Sequence, residues 1–112
     1  MATLAGQKCT PCQGGTPPLD TDAQALLHEQ LHSDWKIVNG HHLSRTFQFA
    51  DFVTALAFVN KLGAIAEEEG HHPDLLLSWG SVRTDVWTHK IDGLTESDFI
   101  LAAKADVAFL AS

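Results

Sequence analysis

Positive charge is scarce in this chain: seven Lys and Arg stand against fourteen Asp and Glu, for a formal net charge of -7. The few basic residues are scattered, so no footprint for a phosphate backbone forms and direct nucleic-acid binding is not expected. Cysteine occurs twice, too few for a disulfide framework in 112 residues, which fits a reducing compartment. No apolar run approaches the roughly 20 residues of a bilayer span, and the N-terminus lacks the charged-then-apolar order of a signal peptide. A soluble, cytoplasmic protein without membrane contact is expected. The length suits one domain with a modest core.

What is present falls into a clear order. Residues 1–19, rich in Gly, Pro, Thr and Gln, lack apolar periodicity and read as a flexible arm; the folded domain is expected over 20–112. Ala23, Leu26, Leu27 and Leu31 share a helical face over Thr21 to His32, with Asp20 or Thr21 able to cap the start. Trp35 to Val38 and His42 to Phe49 read as strands around Asn39-Gly40, a dipeptide that favours a tight hairpin. From Asp51 the residues Phe52, Ala55, Leu56, Val59, Leu62 and Ala66 recur at helical steps and stop at Gly70. Leu75 to Trp79 and Val82 to Thr88 read as two more strands joined at Gly80. Thr95 to Asp98 forms a capping box for a last helix through about Leu110, with Phe99, Ile100, Ala103 and Val107 on its buried side. The order is helix, hairpin, helix, hairpin, helix. It predicts an α+β fold with a four-stranded, mainly antiparallel sheet, helices on one face, and the other face left for subunit association.

The chemistry concentrates in Glu67-Glu68-Glu69-Gly70-His71-His72-Pro73 and in the isolated Thr88-His89. Imidazole titrates near neutral pH, which suits a reaction that moves protons without a metal or cofactor. Three acids in the last turn of a helix oppose the macrodipole, a local cost of the kind found at functional sites. Glu67 lies one helical turn before His71, close enough to orient a ring. Because His72 precedes proline, its backbone is pushed toward extended geometry, and the adjacent imidazoles diverge into separate roles. By contrast, His41-His42 has no acidic neighbour in sequence and reads as hairpin surface.

The spacing of Glu67, His71-His72-Pro73, Trp79, His89 and Asp98, together with Trp35 and the Phe47 to Phe52 stretch, resembles the pterin-4a-carbinolamine dehydratase family from about Leu19 through Phe109. That family folds in the same helix and hairpin order and forms dimers or dimers of dimers. The resemblance implies dehydration of 4a-hydroxytetrahydropterin to quinonoid dihydropterin and water, as part of tetrahydropterin recycling. It implies His71 and His89 as acid and base, with His72 at the catalytic centre mainly holding the pterin. Glu67, Thr88 and Asp98 are implied as further pterin-binding residues, Asp98 having an equally good structural use in the capping box. The partner is then a small pterin, with a homodimer or homotetramer expected.

This chain departs from the family's pattern at Gly70, Leu75, Trp87 and Ser97, none of which removes a proton-transfer group. Animal members also serve as dimerisation partners of a transcription factor, so a protein-binding module is the second reading. A metal-binding protein is the third and weakest, since no two motif histidines have the i, i+4 spacing of a compact helical site. Cys9-Thr10-Pro11-Cys12 is a single Cys-x-x-Cys with no second pair nearby, and it reads as two thiols in the arm.

Overall fold

A computed structural model of the chain describes residues 3–10 and 17–111. Helix α1 (Thr21–His28) starts where the Asp20 carboxylate accepts the Ala23 N–H at 2.8 Å, and strand β1 (Lys36–Val38) follows. The Asn39-Gly40 turn, both residues at positive φ, returns the chain into β2 (His42–Gln48). Asp51 caps α2 (Phe52–Glu69), and Gly70 ends it in the left-handed conformation at φ 65°. Next come β3 (Asp74–Ser78) and β4 (Ser81–Val86), then a 3-10 turn at His89–Ile91 and α3 (Glu96–Leu110).

All four strands pair antiparallel, in the order β1-β2-β4-β3. Alternation sorts the side chains of β2 and β4: Leu43, Phe47, Val82 and Val86 are buried, while Thr46, Gln48 and Arg83 face solvent. The buried face is covered by α2 and α3, with α1 against α3. Phe47 is the hub, its ring 4.7 Å from Phe58, 4.9 Å from Phe109 and 6.0 Å from Trp35. Each such buried side chain contributes on the order of 2 kcal/mol. Arg45 stacks on Phe47 at 4.4 Å and donates to Asp106 at 2.7 Å, and the Trp35 indole donates to the same carboxylate at 2.8 Å. Burial nevertheless pushes the Asp106 carboxyl above its ordinary range.

The α+β fold and the helix and hairpin order agree with the sequence reading, and several details differ. Helix α1 stops at His28, short of His32, and its buried residue is Gln24, whose amide donates to the Leu19 and Gly40 carbonyls. Leu26 and Val107 are exposed because each lies at the rim of its helical stripe; Ala105 and Ala108 take the inward positions on α3. The outer sheet face is mostly polar, with the Ser44 hydroxyl on Asp85 at 2.6 Å, and Leu76 is exposed on it opposite Arg83. Among the described residues no helix is long and apolar enough to cross a membrane.

Residues 3–10 lie against this frame. Leu4 is buried in the core, and Lys104 Nζ donates to the Ala5 carbonyl at 2.8 Å. Cys12 lies outside the described residues.

Candidate active site

Hairpin register brings the two motif segments together. The Asp74↔Asp85 pair begins β3 and nears the end of β4; extended by three residues, the same register sets residue 71 across from residue 88. His71, His72, Thr88 and His89 accordingly line one cavity of about 270 Å³, with Thr10, Gly70 and Lys90. The left-handed turn at Gly70 redirects the chain off α2 and into the cleft.

His71 is the most enclosed of the three histidines, its side chain 12% exposed, and its Nε2 lies 2.5 Å from Asp98 Oδ1. Asp98 has no exposed surface. Its second oxygen accepts the Thr88 hydroxyl and the Thr95 N–H, each at 2.8 Å. The carboxylate therefore closes the capping box of α3 and holds His71 in one step. His72 Nε2 lies 2.5 Å from Glu67 Oε2 on the open side of the cleft. His89 is half-exposed, with Asp74 Oδ1 at 3.7 Å and the Trp87 ring edge-on at 4.3 Å between centroids.

Each candidate from the sequence has a place here. The three histidines and Thr88 line the cavity, Glu67 stands behind His72, and Asp98 stands behind His71. Glu67 pairs with His72 and not with His71, because Gly70 ends the helical spacing that would have joined residues 67 and 71. His41 and His42 are half-buried and not simple hairpin surface: their rings lie 5.3 and 5.7 Å from Trp87, and His41 Nε2 is 2.6 Å from Asp92 Oδ1. They brace the loop that carries His89. No local signal reveals this, since Asp92 is far away along the chain. Thr10 and Lys90 are cavity residues that the sequence reading missed. Among the described residues, no group of three or more His, Cys, Asp or Glu is placed to hold a metal ion.

Fold and site together define a small α+β protein whose cleft presents three imidazoles, two of them hydrogen-bonded to carboxylates and the third with one at 3.7 Å. The sequence matches the family described as Pterin 4 alpha carbinolamine dehydratase over residues 17–108. A protein of Alkaliphilus metalliredigens, provisionally named a pterin-4-alpha-carbinolamine dehydratase, is 56% identical over 106 residues, 95% of this chain and 96% of that one. One of Rubrobacter xylanophilus with the same provisional name is 52% identical, over 95% of this chain and 98% of its own. Among solved structures, a transcriptional coactivator/pterin dehydratase from Brucella melitensis superposes with a TM-score of 0.76 at 29% identity, covering 81% of this chain and 97% of that one. A pterin dehydratase-like protein identified as a RuBisCO assembly factor in the alpha-carboxysome gives a TM-score of 0.60 at 25% identity, over 70% and 92% of the two chains. The chain belongs to the pterin 4 alpha carbinolamine dehydratase family.

Proposed function

We propose that this protein dehydrates 4a-hydroxytetrahydropterin to quinonoid dihydropterin and water by histidine acid–base catalysis, as a step of tetrahydropterin recycling. The observation that carries this reading is the convergence of His71, His72 and His89 on one cavity. Asp98 faces His71 Nε2, so the neutral ring carries its proton there and leaves the Nδ1 lone pair free. His71 is then the base that takes the pterin N5 proton. The N5 electron pair forms the C4a=N5 double bond, the C4a–O bond breaks, and the departing oxygen takes a proton from His89 to leave as water. Solvent in the open cleft then takes the proton from His71 and returns one to the half-exposed His89, which restores the starting state of both rings. His72, fixed by Glu67, holds the ring, and Thr88 with Asp98 positions His71.

Stopped-flow dehydration of freshly generated carbinolamine tests this. His71→Ala and His89→Ala each slow the enzymatic rate by about 100-fold or more while circular dichroism stays unchanged. A wild-type rate equal to the spontaneous one rejects the reaction.

A second reading, protein association, is supported by apolar residues left in solvent on α2 and beside the β3–β4 turn: Phe52, Val53, Leu56 and Trp79. The names of the two solved neighbours point the same way. Under this reading Val53→Glu lowers the association state in sedimentation while dehydration per chain persists.

A further inference from the structure

The mechanism uses the histidine side of the cavity and leaves Thr10 unassigned, although Thr10 lines the same space. Thr10 lies outside the residues 17–108 that match the family, so nothing in that match gives it a role. Its placement is nonetheless fixed by several bonds. The Ser97 hydroxyl accepts the Thr10 N–H at 3.0 Å and donates to the Thr10 carbonyl at 3.2 Å, satisfying both backbone groups with one side chain. One residue earlier, the Cys9 N–H donates to Glu69 Oε1 at 2.9 Å and the Cys9 thiol to the Ser97 carbonyl at 3.5 Å. The anchors are adjacent to the catalytic elements: Glu69 directly precedes Gly70-His71, and Ser97 directly precedes Asp98. Any ligand seated against His71 is thereby at a defined distance from Thr10.

The Thr10 hydroxyl itself has one protein neighbour at hydrogen-bonding range among the described residues, Ser97 Oγ at the long separation of 3.5 Å. The Ser97 proton is committed to the Thr10 carbonyl. Among the described residues, a solvent-exposed hydroxyl on the wall of the cleft is therefore held in place with its acceptor capacity open and its proton engaged only by the long contact to Ser97.

We propose that Thr10 is a substrate-contacting, specificity-determining residue whose hydroxyl bonds a polar edge of the pterin, and that Ser97 and Glu69 are the positioning residues that hold it there. The identity of the ligand rests on the dehydratase reading. The segment before the family-matched region is then a wall of the active site. Because Thr10 acts on binding and transfers no proton, its loss separates KM from kcat.

The full chain is compared with Thr10→Val, which keeps shape and both backbone bonds, with Thr10→Ser, which keeps the hydroxyl, and with Ser97→Ala. KM and kcat are measured for the carbinolamine, and the dissociation constant for 7,8-dihydropterin by quenching of tryptophan fluorescence. Thr10→Val raises KM and weakens dihydropterin binding by roughly 3- to 10-fold with kcat held, the scale of one neutral hydrogen bond. Thr10→Ser restores both, and Ser97→Ala reproduces the valine effect. A Thr10→Val protein that matches wild type in both constants overturns the proposal while leaving the dehydratase reading intact. If wild type binds dihydropterin without dehydrating the carbinolamine, the reaction assignment falls and the binding comparison still decides the role of Thr10. Wild-type protein that binds no dihydropterin overturns the pterin contact.

Discussion

At the scale of single residues, Asp98 does more than any other side chain. It is fully buried, and its two oxygens receive His71, Thr88 and the Thr95 amide. Such charge-assisted bonds are roughly twice as strong as neutral ones. Asp98→Asn presents an NH2 group where one of these donors stands, and either His71 or the helix start loses its acceptor. Dehydration should fall by about 10-fold or more, and urea unfolding should show a loss of about 1–2 kcal/mol. An active and equally stable Asn variant would contradict the role given to this carboxylate. His71 and His72 stand out in the sequence because their motif is compact, and His89 only through its spacing from them. Their partners were less legible: helical spacing joined Glu67 to His71, and the turn at Gly70 joined it to His72. Cys9 shows another residue-scale effect. Burial, followed by the Glu69 charge, pushes its thiol up to about 11, so thiolate chemistry is suppressed at neutral pH.

At the scale of elements, helix α2 and the hairpin after it set the site. Gly70 has a φ of 65° and open space around a notional Cβ, so the restriction is conformational and not a clash. Gly70→Ala should destabilise the fold by about 1 kcal/mol in urea unfolding and disturb the path to His71; stability equal to wild type would mean the turn relaxes at no cost. Helices and strands could be read from period and punctuation, because burial on one face imposes both. Rim positions could not, since Leu26 and Val107 fit the periodic pattern of a stripe yet stay exposed. The 3-10 turn at His89–Ile91 was equally invisible, as three residues leave no periodicity.

At the scale of the whole molecule, the candidate cavity is lined by the N-terminal segment, the α2–β3 turn and the β4–α3 loop, with Asp98 of α3 behind His71. Side-chain bonds to the backbone of residues 9 and 10 carry no hydrophobic period, which is why the packing of this segment was not visible in the sequence. Glu69 gives that packing a pH signature. The Cys9 N–H, more than the nearby Lys104 and Lys8 charges, holds the Glu69 carboxyl below its ordinary value of 4.5. A depressed folded-state value means that this stabilisation is complete above about 4.5 and is lost as pH falls through the lower folded value. Glu69→Gln should therefore lower stability at pH 7, and the gap to wild type should close on acidification well below 4.5, as followed by urea unfolding across pH. A gap that stays constant with pH would show that the charge contributes nothing.

The double duty of one carboxylate ties chemistry to the integrity of a helix. If the first turn of α3 frays, the Thr95 amide and the His71 ring lose the same anchor together, and the imidazole swings free with its tautomer unspecified. Turnover on the proposed mechanism thus becomes a local thermometer, fading at temperatures where the sheet and the aromatic cluster are still whole.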